Sequence, residues 1–200
     1  MVRKEYSAGA VKFALWFQEF RTEVELLSAG KTFQEIKELS RRENIFSAGS
    51  PARAAQIYST VTARIRSLDE SFYPVFLNGD LATQKLFALV AAMAHDTLFF
   101  DFVHGVIREK ILIGSNEFTP ADVRVFLKNI QLQDAKAAGW TDETLHRLSQ
   151  AWLSMLYEAG VIDRGRDVRK IYRPVFEKDM EIWLQDHDMG MMLQALTGGT

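Results

Sequence analysis

Arg164, Arg166, Arg169, Lys170 and Arg173 crowd one short stretch near the C-terminus of a 200-residue chain whose formal net charge is −2. Guanidinium and ammonium groups make charge-assisted hydrogen bonds to phosphate oxygens and displace condensed counterions, so such a cluster suits a nucleic-acid backbone. Two other readings stay open. Asp163 and Asp167 can neutralise part of the charge and leave a solvated surface element, or the cations can meet the acidic face of a protein partner. The overall charge excludes a uniformly basic coat, so binding depends on how these local patches are arranged.

One other cluster has residue types capable of chemistry. His95, Asp96, Asp101 and His104 could hold a metal or move protons, but their spacing fits no ligand pattern. Asp96 is the right residue to cap a helix, and His104 suits a hydrogen bond within a crevice. There is no cysteine, hence no disulfide, thiolate site or thiol nucleophile. Phosphate-cradling glycine loops, nucleophile elbows and HExxH helices are missing as well. No catalytic residue, cofactor or metal is expected, and the chain reads as a non-enzyme.

The elements that must position these charges are mostly helical, because apolar residues recur at spacings of three and four rather than two. Val11, Leu15, Trp16, Phe20, Val24 and Leu27 predict a helix from Ala8 to Leu27. Thr32 and Glu35 form a capping box for a second, ending near Asn44, and Ser50-Pro51 opens a third that runs to about Leu68. Leu81–Ala94 and Thr97–Ile113 read as two strongly apolar helices. The apolar run within the first is about half of the roughly 20 residues a membrane span needs, so core helices are expected, with no membrane contact and a cytoplasmic location. Thr119-Pro120 starts another helix, and Thr141 caps one from Asp142 to Ala159. A broken helical tail follows, from Pro174 to Leu196.

Leu145, Leu148, Trp152, Met155 and Leu156 occupy one side of the Asp142–Ala159 helix, with His146, Arg147 and Gln150 opposite them. A helix with a polar face, followed at once by Gly160 and a basic two-stranded ribbon around Arg164–Asp167, has the order of a winged helix-turn-helix. The helix would enter the major groove and the ribbon would lie along the backbone. A second basic face is expected on the Pro51–Leu68 helix, from Arg53, Gln56, Thr60 and Arg64, with Arg41 and Arg42 ending the preceding helix. A solubilising surface is the alternative there.

The stretches "YSAG", "FQEFRTEVELLSAGKTFQEIKELSRRENIF", "HDTLFFDFVHGVIREKIL", "FTPADVRVFL" and "GWTDETLHRLSQAWLSMLYEAGVID" together resemble the BrxA family of BREX phage-exclusion systems, in order along nearly the whole chain. The resemblance implies a small, largely helical accessory protein of bacterial phage defence that binds DNA. It also implies a gene lying beside those of a DNA methyltransferase, a large ATPase and an alkaline-phosphatase-like protein. It supplies no catalytic residues. The expected fold is therefore all-α: a helix-turn-helix-like part over residues 1–70, a helical core over 71–116, and a winged helix with one short β-hairpin over 117–200. Double-stranded DNA is the expected ligand. Docking on other BREX proteins and helical RNA binding are the alternatives.

Overall fold

The computed structural model describes residues 3–199. The fold is all-α with one small antiparallel sheet. A 3-10 turn at Gly9–Lys12 precedes α1 (Phe17–Ser28), α2 (Phe33–Arg42), α3 (Pro51–Ile65), α4 (Phe72–Asn78) and α5 (Leu81–His95). Next come α6 (Thr97–Phe102), a π turn at Val103–Ile107, and α7 (Arg108–Leu112). The C-terminal part holds β1 (Glu117–Phe118), α8 (Pro120–Gln133), α9 (Asp142–Glu158), β2 (Arg169–Lys170), α10 (Lys178–Asp186) and α11 (Gly190–Thr197).

Local signals set most helix starts. The Glu35 carboxylate accepts from the Thr32 N–H at 2.7 Å while the Thr32 hydroxyl accepts from the Glu35 N–H, closing the expected capping box. Ser50, Asp80 and Asp96 cap α3, α5 and α6 through side-chain oxygens. One segment differs from expectation. The Ala8–Leu27 helix breaks, because Trp16 takes a left-handed conformation (φ 53°) and leaves 13–16 as a bend between the 3-10 turn and α1. "FYPVFLN", which Pro74 and Asn78-Gly79 punctuate in the sequence, forms the helix α4. Pro74 falls in its first turn, where no intrahelical N–H is required.

α5 is buried nearly all round from Leu86 to Ala94, as a central core helix should be. Phe20, Phe72 and Phe76 cluster with its Phe87, and Phe72 and Phe87 meet Trp183 of α10, with ring centroids about 6 Å apart. A second aromatic stack joins Phe99 and Phe102 to Trp152 of α9, at 5.9 and 5.1 Å. Buried apolar residues from Ala10 to Leu196 form one connected cluster, so the segments 1–70, 71–116 and 117–200 share a core. Among the described residues no single helix is long and apolar enough to cross a membrane. α5 and the Thr97–Leu112 helix meet at a 110° bend, with Asp96 capping the second.

The sheet differs from a simple hairpin. Its antiparallel ladder pairs Glu117 with Lys170 and Phe118 with Arg169, while the arm leading into the basic turn contributes an Ile162–Ile171 bridge. The chain order is thus helix, strand, helix, helix, bridge residue, basic turn, strand. The partner strand before α8 escaped the sequence pattern, since two residues carry no periodicity.

Candidate nucleic-acid interface

α9 is fixed from below and polar above. The Thr141 hydroxyl accepts from the Thr144 N–H at its start, and Leu148, Trp152, Met155 and Leu156 are buried. His146, Arg147, Gln150 and Ser154 lie exposed on the opposite side, as the spacing predicts. At the end of α9, Gly160 (φ 77°) reverses the chain while the Val161 N–H returns to the Leu156 carbonyl at 2.9 Å.

The basic turn that follows is organised by Asp163. Its Oδ1 accepts from the N–H groups of Gly165 and Lys170, both at 3.0 Å, and these bonds hold the carboxyl below the usual range. Gly165 is required there, since a Cβ would fall 1.8 Å from the Val168 carbonyl oxygen. The cations expected to act together separate. Arg164 folds over the Tyr157 ring at 4.5 Å, partly buried Arg169 donates to the Asp163 carbonyl at 2.9 Å, and Arg173 donates to the Ile111 carbonyl at 3.1 Å, closing the end of α7. Lys170 is exposed on the edge of the ladder. Arg166 is exposed, with no side-chain partner among the described residues.

Two hollows flank the α9 ridge. One, of about 510 Å³, lies between α8, α9 and the turn. Its floor is Val123, Leu127, Leu145 and Leu153, and its rim carries Arg124, Lys128, His146, Gln150, Arg166 and Arg169. The single carboxylate lining it, Asp142, is engaged by Lys128 at 2.7 Å. The other, shallower hollow is lined by Lys12, Arg53, Arg147 and Gln150 and by no carboxylate. Gln150 borders both. Arg124, Lys128 and Lys12 were missed by sequence reasoning. The first two stand four apart on a helix and were visible as a basic stripe, whereas Lys12 reaches α9 only through the unforeseen bend at Trp16.

The N-terminal face is not a single surface. Arg53 is exposed, stacked over Trp16 at 4.9 Å and bonded to Gln56 Oε1 at 2.7 Å; Gln56 is half-buried. Thr60 and Arg64 correct the expectation, being 6% and 3% exposed and so closed to a duplex. Arg64 Nη1 donates to the carbonyls of Ala14 and Leu15 at 2.8 and 2.9 Å, and Nη2 lies 3.4 Å from the Met155 sulfur. Burial pulls its guanidinium down to about 10. Arg64 therefore pins the bend after Lys12 against α9. Arg41 and Arg42 sit on the far side of α3, each within 3.5 Å of Glu38. There Arg41 shares a groove of about 570 Å³ with Lys37 and Arg66, over Ala55, Ser59 and Ala63.

The His/Asp cluster disperses into structural roles. Asp96 Oδ1 caps α6 through Leu98 and Phe99, Asp101 takes a two-pronged pair from Arg3 and a bond from Tyr6, and His104 stacks on Phe100. His95 lies beside Lys4, and burial, then the Lys4 and Arg64 charges, lowers it to about 4. Among the described residues no three His, Asp or Glu side chains converge as a metal site.

A profile of the BrxA family matches residues 4–188. The chain belongs to the BrxA family. A BREX protein BrxA of Bacillus cereus (strain H3081.97) is 32% identical over 99% of this chain and its own full length. One from Escherichia coli O9:H4 (strain HS) is 27% identical over 79% of this chain and 75% of its own. The family places the protein in a BREX phage-defence system. A crystal structure of an uncharacterized protein from Magnetospirillum magneticum superposes with a TM-score of 0.82 at 18% identity, covering 98% of this chain and all of that one, and shows the same fold.

Proposed function

We propose that this BrxA-family chain is a cytoplasmic, non-enzymatic accessory protein that binds double-stranded DNA mainly through phosphates. In this reading α9 enters a major groove and the turn at 163–168 lies along the backbone. The observation that carries it is the exposed polar ridge His146, Arg147 and Gln150, with cations on both flanks and the basic turn at its end. The helix, strand, helix, helix, turn, strand order matches a winged helix, whose groove helix is the one before the ribbon. Phosphate contacts supply affinity, and only side chains on the α9 ridge are placed to read base edges. The test is fluorescence anisotropy of labelled duplex DNA, single-stranded DNA and duplex RNA against the purified chain at several salt concentrations. Duplex DNA binding that weakens steeply with salt is expected. Duplex affinity no higher than that for the other two would refute the reading.

A second reading has its own observation. The groove between α2 and α3 is rimmed by Lys37, Arg41 and Arg66, has no carboxylate in its lining, and lies on the other side of α3 from Arg53. It suits an acidic segment of another BREX protein, whether methyltransferase, ATPase or phosphatase-like protein. Copurification with those components, lost on reversing Lys37 and Arg41 to Glu but kept when Arg166 is removed, would favour this second role.

A further inference from the structure

We propose that α9 lies between two separate phosphate-holding banks, Lys12 with Arg53 on one side and Arg124 with Arg166 on the other, which grip the two backbones bordering one major groove. The proposal rests on the DNA-binding reading and assigns residues to it. A helix with its side chains is roughly 10–12 Å across and the major groove about 12 Å wide, so a helix seated there brings its flanks to both phosphate ridges at once. The cations must therefore stand on both sides, at the height of the ridge.

The geometry meets this requirement with residues drawn from four parts of the chain. On one flank the 3-10 turn places Lys12, and α3 places Arg53, beside Arg147 and Gln150 with no carboxylate in the hollow. Arg53 is held in advance by Trp16 and Gln56, so little side-chain freedom is lost on binding. On the other flank α8 presents Arg124 and the turn presents Arg166, facing His146 and Gln150 across the second hollow. Arg124 and Arg166 are exposed and have no ion-pair partner among the described residues, and Asp142 is occupied by Lys128. The same geometry removes other cations from the contact set. Arg169 is turned onto the Asp163 carbonyl and Arg173 onto the Ile111 carbonyl, and Arg164, though exposed, leans over the Tyr157 ring and lines neither hollow.

The test compares duplex affinity over a range of salt concentrations for the wild type, Lys12→Ala/Arg53→Ala, Arg124→Ala/Arg166→Ala, the combination of all four, and Arg164→Ala. At roughly 0.9 in log-log slope per phosphate contact, each pair should flatten the slope by about 1.8 and the quadruple variant by about 3.6. Arg164→Ala should leave it unchanged. All four side chains are exposed, and since Arg53 also braces Trp16, the melting temperature of each variant is measured alongside, a held value excluding unfolding as the cause. A wild type without salt-dependent duplex binding removes the DNA reading itself. A wild type that binds, with either pair variant keeping the full slope, overturns the two-bank assignment while the DNA reading survives. An Arg164→Ala slope loss of about 0.9, half that of the Arg124→Ala/Arg166→Ala pair, overturns the exclusion.

Discussion

Replacing Glu23 with Gln should change how stability depends on pH while leaving the fold in place. Glu23 of α1 is fully buried; one carboxylate oxygen accepts from the Thr62 hydroxyl of α3, and the other has no partner. Burial raises its carboxyl from the ordinary 4.5 to about 7, against the Thr62 hydrogen bond and the more distant Arg66 charge, which lower it. Because the folded value lies above the unfolded one, the folded chain binds the extra proton between pH 4.5 and 7. Stability therefore falls as pH rises through that window and stays low above it. Over the whole window the difference is about 3 kcal/mol, an upper figure since relaxation and water entry reduce it. His95 acts in the opposite sense, because its folded value of about 4 lies below the unfolded 6.5, so its contribution rises between those pH values. Wild type alone thus shows a blunted profile, and the informative quantity is the difference between variant and wild type. Urea unfolding at pH 5, 6, 7 and 8 should show Glu23→Gln gaining on wild type with each step up to pH 7 and levelling above it. A difference that stays constant across the series would mean that Glu23 is ionised in the folded chain from pH 5 upward, and the burial argument would be wrong.

Two further outcomes concern the interface. Arg64→Met should lower stability by roughly 1–3 kcal/mol, because the Ala14 and Leu15 carbonyls lose a charged donor in a buried site. It should weaken duplex binding through displacement of Lys12 and Trp16, with the salt slope at saturating folding conditions less reduced than in the Lys12→Ala/Arg53→Ala pair. Calorimetry together with anisotropy separates this from a direct phosphate contact. Gly165→Ala should leave the helical core intact, as judged by far-ultraviolet circular dichroism, but open the turn at 163–168 by forcing the Val168 carbonyl away. Duplex affinity should fall at all sequences alike, and an unchanged affinity would show that the shape of the turn is irrelevant.

The sequence carried the helices through their ends. Thr32 with Glu35, Ser50 with Pro51, Asp80 and Asp96 are local signals, and a cap satisfies backbone donors within three residues regardless of what the rest of the chain does. The break at Trp16 had no such signal. An aromatic residue at φ 53° is held there by contacts from elsewhere, namely Arg53 above its ring and Arg64 on the two preceding carbonyls. The pairing of Glu117–Phe118 with Arg169–Lys170 was likewise out of reach, since two-residue strands separated by two helices leave no local pattern.

The same distinction governs the arginines. Composition and helical spacing named two basic faces, one with Arg164, Arg166, Arg169 and Arg173 around the turn and one with Arg53 and Arg64 on the helix from Pro51. Which of them can meet a phosphate depends on what else satisfies the guanidinium. A carbonyl from residue 14, 15, 111 or 163 engages a guanidinium that would otherwise be free, and those partners are fixed by packing, while exposed Arg164 leans over the Tyr157 ring and lines neither hollow. Arg166 and Arg124 are left without such partners among the described residues, while Arg53 is braced at the rim of its hollow with Lys12 beside it. On the DNA-binding reading, charge patterning points to the class of ligand, and tertiary hydrogen bonding selects the residues left free to touch it.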